Sequence, residues 1–152
     1  MTGFLGEYEV TIDAKGRFLV PAALKKQLGE EGAHQFVINR GLDSCLSLYP
    51  IESWDPLYAK ISKLNDFDTK ASAFKRRFLN GASKVELDSA GRLLLPKTLM
   101  EYARLDKDAV LVFVGDKIEI WDKIKYKEFF ESFSQEEFKI MANEVMGSKT
   151  DS

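Results

Sequence analysis

At 152 residues, 45% apolar and 30% charged with a formal net charge of −2, the chain has the composition of a folded protein rather than a disordered one. No apolar run approaches the roughly 20 residues of a membrane span, and residues 1–6 lack the basic and long apolar regions of a secretory signal, so a cytoplasmic protein with no membrane partner is expected. One cysteine, Cys45, and one histidine, His34, exclude an intrachain disulfide and argue against a Cys/His metal site or a Ser-His or Cys-His catalytic pair. No metal, cofactor or catalytic residue is therefore expected.

Residues 7–12 alternate polar and apolar side chains, the pattern of a half-buried strand, and Asp13-Ala-Lys15-Gly16 turns it back through a glycine able to take positive φ. A second strand over 17–20 leads to Pro21, which suits a helix first turn, and to a short helix over 22–28 stopped by Gly29. Residues 36–38 and 46–49 form a hairpin across 40–44. Leu57, Tyr58, Ile61 and Leu64 make a helical stripe over 54–64. Asp68 then caps a helix over 69–79 that ends at Asn80-Gly81. From residue 83 the order of strand, turn, strand and helix returns, with the helix near 96–102 and a tight hairpin turn over Gly115-Asp116-Lys117. Phe129, Phe130, Phe133, Phe138, Ile140 and Met141 make the tail helical and amphipathic, broken near 134–136 and frayed after Gly147.

The chain states this pattern twice. Tyr8-Glu-Val-Thr-Ile-Asp13-Ala-Lys15-Gly16-Arg17-Phe-Leu-Val-Pro21-Ala-Ala-Leu24 returns 75 residues later as Ser83-Lys-Val-Glu-Leu-Asp88-Ser-Ala90-Gly91-Arg92-Leu-Leu-Leu-Pro96-Lys-Thr-Leu99. Keeping that offset aligns Gln35-Phe-Val-Ile-Asn39 with Val110-Leu-Val-Phe-Val114, and dropping three residues in the hairpin aligns Leu46-Ser-Leu-Tyr49 with Ile118-Glu-Ile-Trp121. The units are 7–54 and 83–126, with a helical linker at 55–82 and a helical tail at 127–152. Fewer than fifty residues barely bury a core alone, so the two copies are expected to share one. Four strands per copy also leave sheet edges open, which pairing between copies would close.

Acid and base four residues apart across each turn can meet over the loop. Asp13 and Asp88 are explained equally by a structural role, stapling the turn, and by holding a functional arginine. Arg17 and Arg92, guanidiniums fixed on a rigid turn, suit bidentate contact with a phosphate or a guanine edge. Gly16 and Gly91 shape the turns. Lys15 stands where the second copy has Ala90, which favours the first copy as the stronger nucleic-acid contact.

The order of apolar strand, Asp-x-x-Gly-Arg, three apolar residues, Pro and short helix resembles the AbrB-like (SpoVT-AbrB) DNA-binding domain. Two copies joined by a helical segment bearing Leu64-Asn-Asp-Phe-Asp68 and Arg77-Phe-Leu-Asn-Gly-Ala82 resemble the MraZ family of bacterial transcriptional regulators over residues 1–145. The resemblance implies a mainly β fold with α, a tandem swapped-hairpin β-barrel built from two internal repeats with flanking helices. It also implies a ring-like homo-oligomer larger than a dimer, associated with the nucleoid. Its partner would be double-stranded DNA, bound at short direct repeats upstream of the division and cell-wall gene cluster, as a repressor. The family's DNA-binding arginine falls on Arg17, with Arg92 its second-copy equivalent.

Several features have plainer readings. Residues 55–84 carry seven basic side chains against three acidic, and 127–152 three against six; local patches outweigh the total. Lys75-Arg76-Arg77 complements a helix C-terminus without further purpose, and Lys25-Lys26 suits a solvated helix side as well as a DNA flank. Trp54, Trp121 and the tail phenylalanines Phe129, Phe130 and Phe133 read as core or, by preference, subunit interface rather than base-stacking platforms. An enzyme using Asp13 and Asp88 as an acid/base pair has no further support. An antitoxin-type interaction module of AbrB-like fold typically has one copy and a longer tail.

Overall fold

The computed structural model describes residues 5–28 and 35–147; His34, Gly29 and the end beyond Gly147 lie outside them. Strand β1 (Glu7–Thr11) buries Val10 and exposes its alternate residues, and β2 (Arg17–Leu19) buries Phe18. Helix α1 (Ala22–Leu28) follows Pro21 and buries Leu24. Strands β3 (Gln35–Arg40) and β4 (Leu46–Pro50) pair as a hairpin. Helices α2 (Ile51–Ser62) and α3 (Thr69–Leu79) follow. The second copy supplies β5 (Ser83–Glu86), β6 (Arg92–Leu94), α4 (Lys97–Tyr102), β7 (Asp108–Val114) and β8 (Lys117–Asp122). The architecture is mixed α/β with antiparallel pairing throughout the described strands.

Only the hairpins pair within a copy. Along the six-stranded sheet the order is β1-β7-β8-β4-β3-β5, so each copy's first strand lies on the other copy's third, and the hairpins meet at β4–β8. The second strands pair with each other as a separate ribbon, β2–β6. The strands do not close into a hydrogen-bonded barrel. Past each turn the chain leaves the large sheet: Asp13 N–H reaches Arg17 O at 2.8 Å, but the short strand beyond it pairs with its counterpart from the other copy.

The registers also correct the alignment of the copies. Tyr8 faces Leu111 and Val10 faces Ala109, while Ser83 faces Ile38 and Val85 faces Phe36. Since Val10 and Val85 correspond, Phe36 corresponds to Ala109 and Ile38 to Leu111, two residues away from the match at constant offset. Side-chain direction in a strand repeats every two residues, so a slip of two leaves every apolar residue on its proper face and the sequence pattern unchanged.

One core draws on both copies, including Phe18, Leu24, Ile38 and Leu46 from the first and Leu93, Leu99, Leu111 and Ile120 from the second. A smaller cluster on the opposite face of β3–β4 joins Val37, Tyr49 and Trp54, with Phe78 and Leu79 packed against it. Trp54 stacks on Phe78 at 5.9 Å between centroids. Trp54 and Trp121 are both buried, which assigns them to the interior rather than to a subunit interface.

Helix α2 begins at Ile51, three residues before the expected start, because Ile51 packs into that smaller cluster. Pro56 sits inside it. Asp68 caps α3 as expected, accepting from Lys70 N–H at 2.9 Å. Beyond residue 122 a second unit holds α5 (Lys123–Glu131) and α6 (Gln135–Ala142). The break between them is a capping box in which Ser134 Oγ accepts from Glu137 N–H and Glu137 returns the bond to Ser134 N–H. The π-helical turn Asn143–Gly147 was not foreseen. No helix among the described residues is long and apolar enough to cross a membrane.

Phe18 and Leu93 face each other in the ribbon, each 1% exposed. Phe18→Ala is expected to destabilise the protein by about 3–5 kcal/mol, read as a lower urea midpoint with an unchanged m-value.

Candidate nucleic-acid interface

The two turns are built alike from a single carboxylate each. Asp13 Oδ1 accepts from Lys15 N–H at 3.0 Å and Arg17 N–H at 2.9 Å, and Oδ2 accepts from Arg17 Nε at 2.8 Å. Asp88 does the same with Ala90 N–H, Arg92 N–H and Arg92 Nε, each at 2.9 Å. Gly16 and Gly91 have φ of +87° and +81°, which side-chain-bearing residues rarely adopt. Holding Nε turns the guanidinium about a fixed point, and both Nη groups of Arg17 and Arg92 remain without an acceptor among the described residues. Such a preoriented fork is suited to an anion or a base edge.

These bonds hold both carboxyls below the ordinary range. The Arg17 N–H is the largest influence on Asp13 and the Arg92 N–H on Asp88; partial desolvation opposes them, and the guanidinium bonds add to the lowering. Both groups are therefore anions at neutral pH, which suits a support for arginine and not a proton donor.

Strand alternation then sets the face. Arg17 lies opposite Leu94, and Leu19 opposite Arg92. With Phe18 and Leu93 buried, the outer side of the ribbon carries two arginines and two leucines, Leu19 and Leu94 being 59% and 56% exposed. The leucines were not singled out in the sequence, where both lie within apolar triplets. The alternation within those triplets held the signal.

Other sequence candidates fall away from this face. Lys75 bonds Asp66 and Ser62 O. Arg77 donates to Tyr102 Oη at 3.0 Å, and Tyr102 donates to Gly41 O at 3.1 Å, with Arg40 and Arg77 both against the tyrosine ring. Lys75 thus ties α3 to the end of α2 and the loop after it, and Arg77 links α3 through Tyr102 to the first hairpin, side-chain roles that neither expected reading named. Lys25, by contrast, reaches the Gly91 turn, where a Cβ would collide with its ammonium. Cys45 is buried, its thiol pushed up to about 12 chiefly by desolvation, and is inert.

Because folding lowers both carboxyls, their contribution is fully present above about pH 4, the unfolded range, and is lost as pH falls through the folded values. Stability is expected to drop on acidification below that range, and Asp13→Asn with Asp88→Asn should flatten this part of the profile in denaturant titrations at successive pH.

The family model described as "MraZ protein, putative antitoxin-like" matches twice, at residues 4–77 and 78–147. A protein of Christiangramia forsetii named transcriptional regulator MraZ is 45% identical over 149 residues, covering 97% of this chain and 96% of the relative. Proteins of the same name from Cytophaga hutchinsonii and Desulfitobacterium hafniense are 44% and 47% identical, over 88% and 83% of this chain and 88% and 85% of their own lengths. That name is a regulator's and not an enzyme's. With both copies matched and nearly the whole chain aligned, this protein belongs to the MraZ family.

Proposed function

We propose that the chain is a DNA-binding transcriptional regulator that reads double-stranded DNA with the outer face of the β2–β6 ribbon and the two Asp-x-x-Gly-Arg turns. The observation that carries this is the register that sets Arg17 and Arg92 on one face, each fixed through Nε with its Nη groups open. A two-stranded ribbon fits the major groove, where arginine pairs with guanine O6 and N7 and an aliphatic side chain meets a thymine methyl. Arg17 and Arg92 take the first role, Leu19 and Leu94 the second. Lys15 adds a phosphate contact, and Gly16 and Gly91 let the backbone approach.

The working units are the repeats 7–54 and 83–126, with 55–82 as linker and 127–152 as tail. The exchange of first strands supports reading the pair as a swapped-hairpin assembly in which neither copy reads DNA alone. Phe130, Phe138 and Val145 of the tail are exposed at 67%, 60% and 55%, an apolar surface that favours self-association into a ring larger than a dimer. Such a ring acts as a repressor in the cytoplasm, at the nucleoid, on direct repeats upstream of the division and cell-wall genes. Each subunit of this acidic protein offers few phosphate contacts, so affinity rests on several subunits engaging together.

Footprinting on the DNA upstream of the protein's own gene tests this reading. Arg17→Ala and Arg92→Ala should each weaken binding about 5- to 150-fold, the range for a bidentate base contact, with thermal midpoints unchanged; full-strength binding by both variants would refute it. Light scattering should give a mass above that of a dimer. Duplexes with several repeats should bind more tightly than one repeat and with a steeper salt dependence, and a half-turn change in spacing should abolish the gain. A monomer that binds one repeat as well as an array would refute the multivalent ring.

A further inference from the structure

Each turn lies beneath the helix of the other copy. A Cβ placed on Gly16 would stand 3.1 Å from Met100 Sδ of α4, and one on Gly91 would lie 3.0 Å from Lys25 Cε of α1 and collide with Nζ. Lys25 and Met100 occupy the same position of the repeat. The first turn, which has Lys15, is covered by a thioether; the second, which has Ala90, is covered by an ammonium. No described residue accepts from Lys25 Nζ or pairs with it, although Asp88, bonded to Ala90 and Arg92, is in that turn. Packing over the glycine does not require the charge, since methionine fills the equivalent place.

Beside the first turn stands Arg104, two residues past the end of α4. Arg104 is the one non-glycine residue with positive φ among the described residues, at 52°. It terminates α4 in the left-handed position that glycine takes without strain, and 75 residues earlier the sequence has Gly29. A strained backbone retained for an arginine points to a use for the side chain. Arg104 lines an open depression of about 510 Å³ together with Lys15, Gly16, Lys97, Met100 and Glu101. Asp13 is also there but is committed to Arg17.

We propose that each DNA-contacting turn is a composite site: its arginine comes from one copy and a phosphate-binding cation from the other, Lys25 of α1 for the Arg92 turn and Arg104, just past α4, for the Arg17 turn. This rests on the turns being DNA contacts. Lys25 thereby gives the second turn a cation beside its arginine in place of the lysine missing at Ala90, while the first turn, with Lys15 and Arg104, keeps the greater positive charge. Both cations act on the DNA backbone, which adds affinity and salt dependence without base preference.

The test uses the full chain and a duplex of the footprinted upstream DNA in a salt titration, with thermal melting of each variant. Lys25→Met preserves the packing seen at Met100, and Arg104→Gly relieves the strained position. Each is expected to keep or raise the thermal midpoint while weakening binding at low salt, with the slope of log K against log salt falling by about 0.9 per engaged subunit; Met100→Lys should steepen it. Unchanged affinity and slope for Lys25→Met and Arg104→Gly, in a protein that Arg17→Ala and Arg92→Ala disable, would overturn the composite site. So would weaker binding at an unchanged slope, which marks packing alone. If the two arginine variants bind normally, it is the underlying reading of the turns that fails.

Discussion

The ladder between β1 and β7, and its counterpart between β5 and β3, is the constraint on which the rest of the molecule depends. A copy on its own has a first strand with no neighbour and a hairpin with a free edge, and unpaired backbone groups are costly wherever water is excluded. Exchange satisfies both at once. It also obliges the second strands to meet, because each first strand is carried to the far side of the sheet and the chain returns from there through its turn. The ribbon β2–β6 is the result, and with it the placing of Arg17 and Arg92 on one surface. The geometry that supports DNA reading is thus a consequence of how the edges are closed.

Within that frame the turns are kept rigid by very little material. One carboxylate orders two backbone N–H groups and one guanidinium, and a glycine at positive φ lets the chain reverse in four residues. The exposed ion pair itself contributes little to stability, since solvent screens it and ordering two side chains opposes it. Its effect is on orientation. One of the guanidinium's five N–H donors is spent on orienting the other four, which lowers the entropy lost when an acceptor arrives.

Much of this was legible in the sequence, and the failures have a physical pattern. The repeat fixed the element order, the glycines and the two turns, because Asp, Gly and Arg at invariant spacing answer to local backbone requirements. The cap at Asp68 was readable for the same reason, whereas at Ser134 only a break was expected and the capping box appeared with the structure. The repeat alignment at β3 and β7 was not, since a two-residue slip leaves alternation intact. Helix α2 starts early because Ile51 packs into the cluster of Val37, Tyr49 and Trp54, a tertiary contact no local signal announces. Leu19 and Leu94 were hidden inside apolar triplets, where the exposed member is known only once the faces are assigned. Lys25 could be placed at Gly91 only after the exchange was known, because that turn belongs to the other copy.

The exchange has a further consequence for how the two copies diverge. In a molecule whose copies each built their own site, losing a lysine from one turn would weaken that site, and recovery would have to come from the same copy. Here each turn is roofed by the other copy's helix, so a change in one copy can be offset by a change in the other. The sequence shows opposed asymmetries of this kind: Lys15 against Ala90 in the turns, and Met100 against Lys25 in the helices above them. Gly29 against Arg104 is a third but runs the other way, adding a cation just past the helix that covers the first turn, which already has Lys15. The copies are therefore free to differ position by position while each of the two surfaces they jointly build keeps a cation beside its arginine. An internal repeat of this design is constrained by the sum over each composite surface, and less by the identity of its halves.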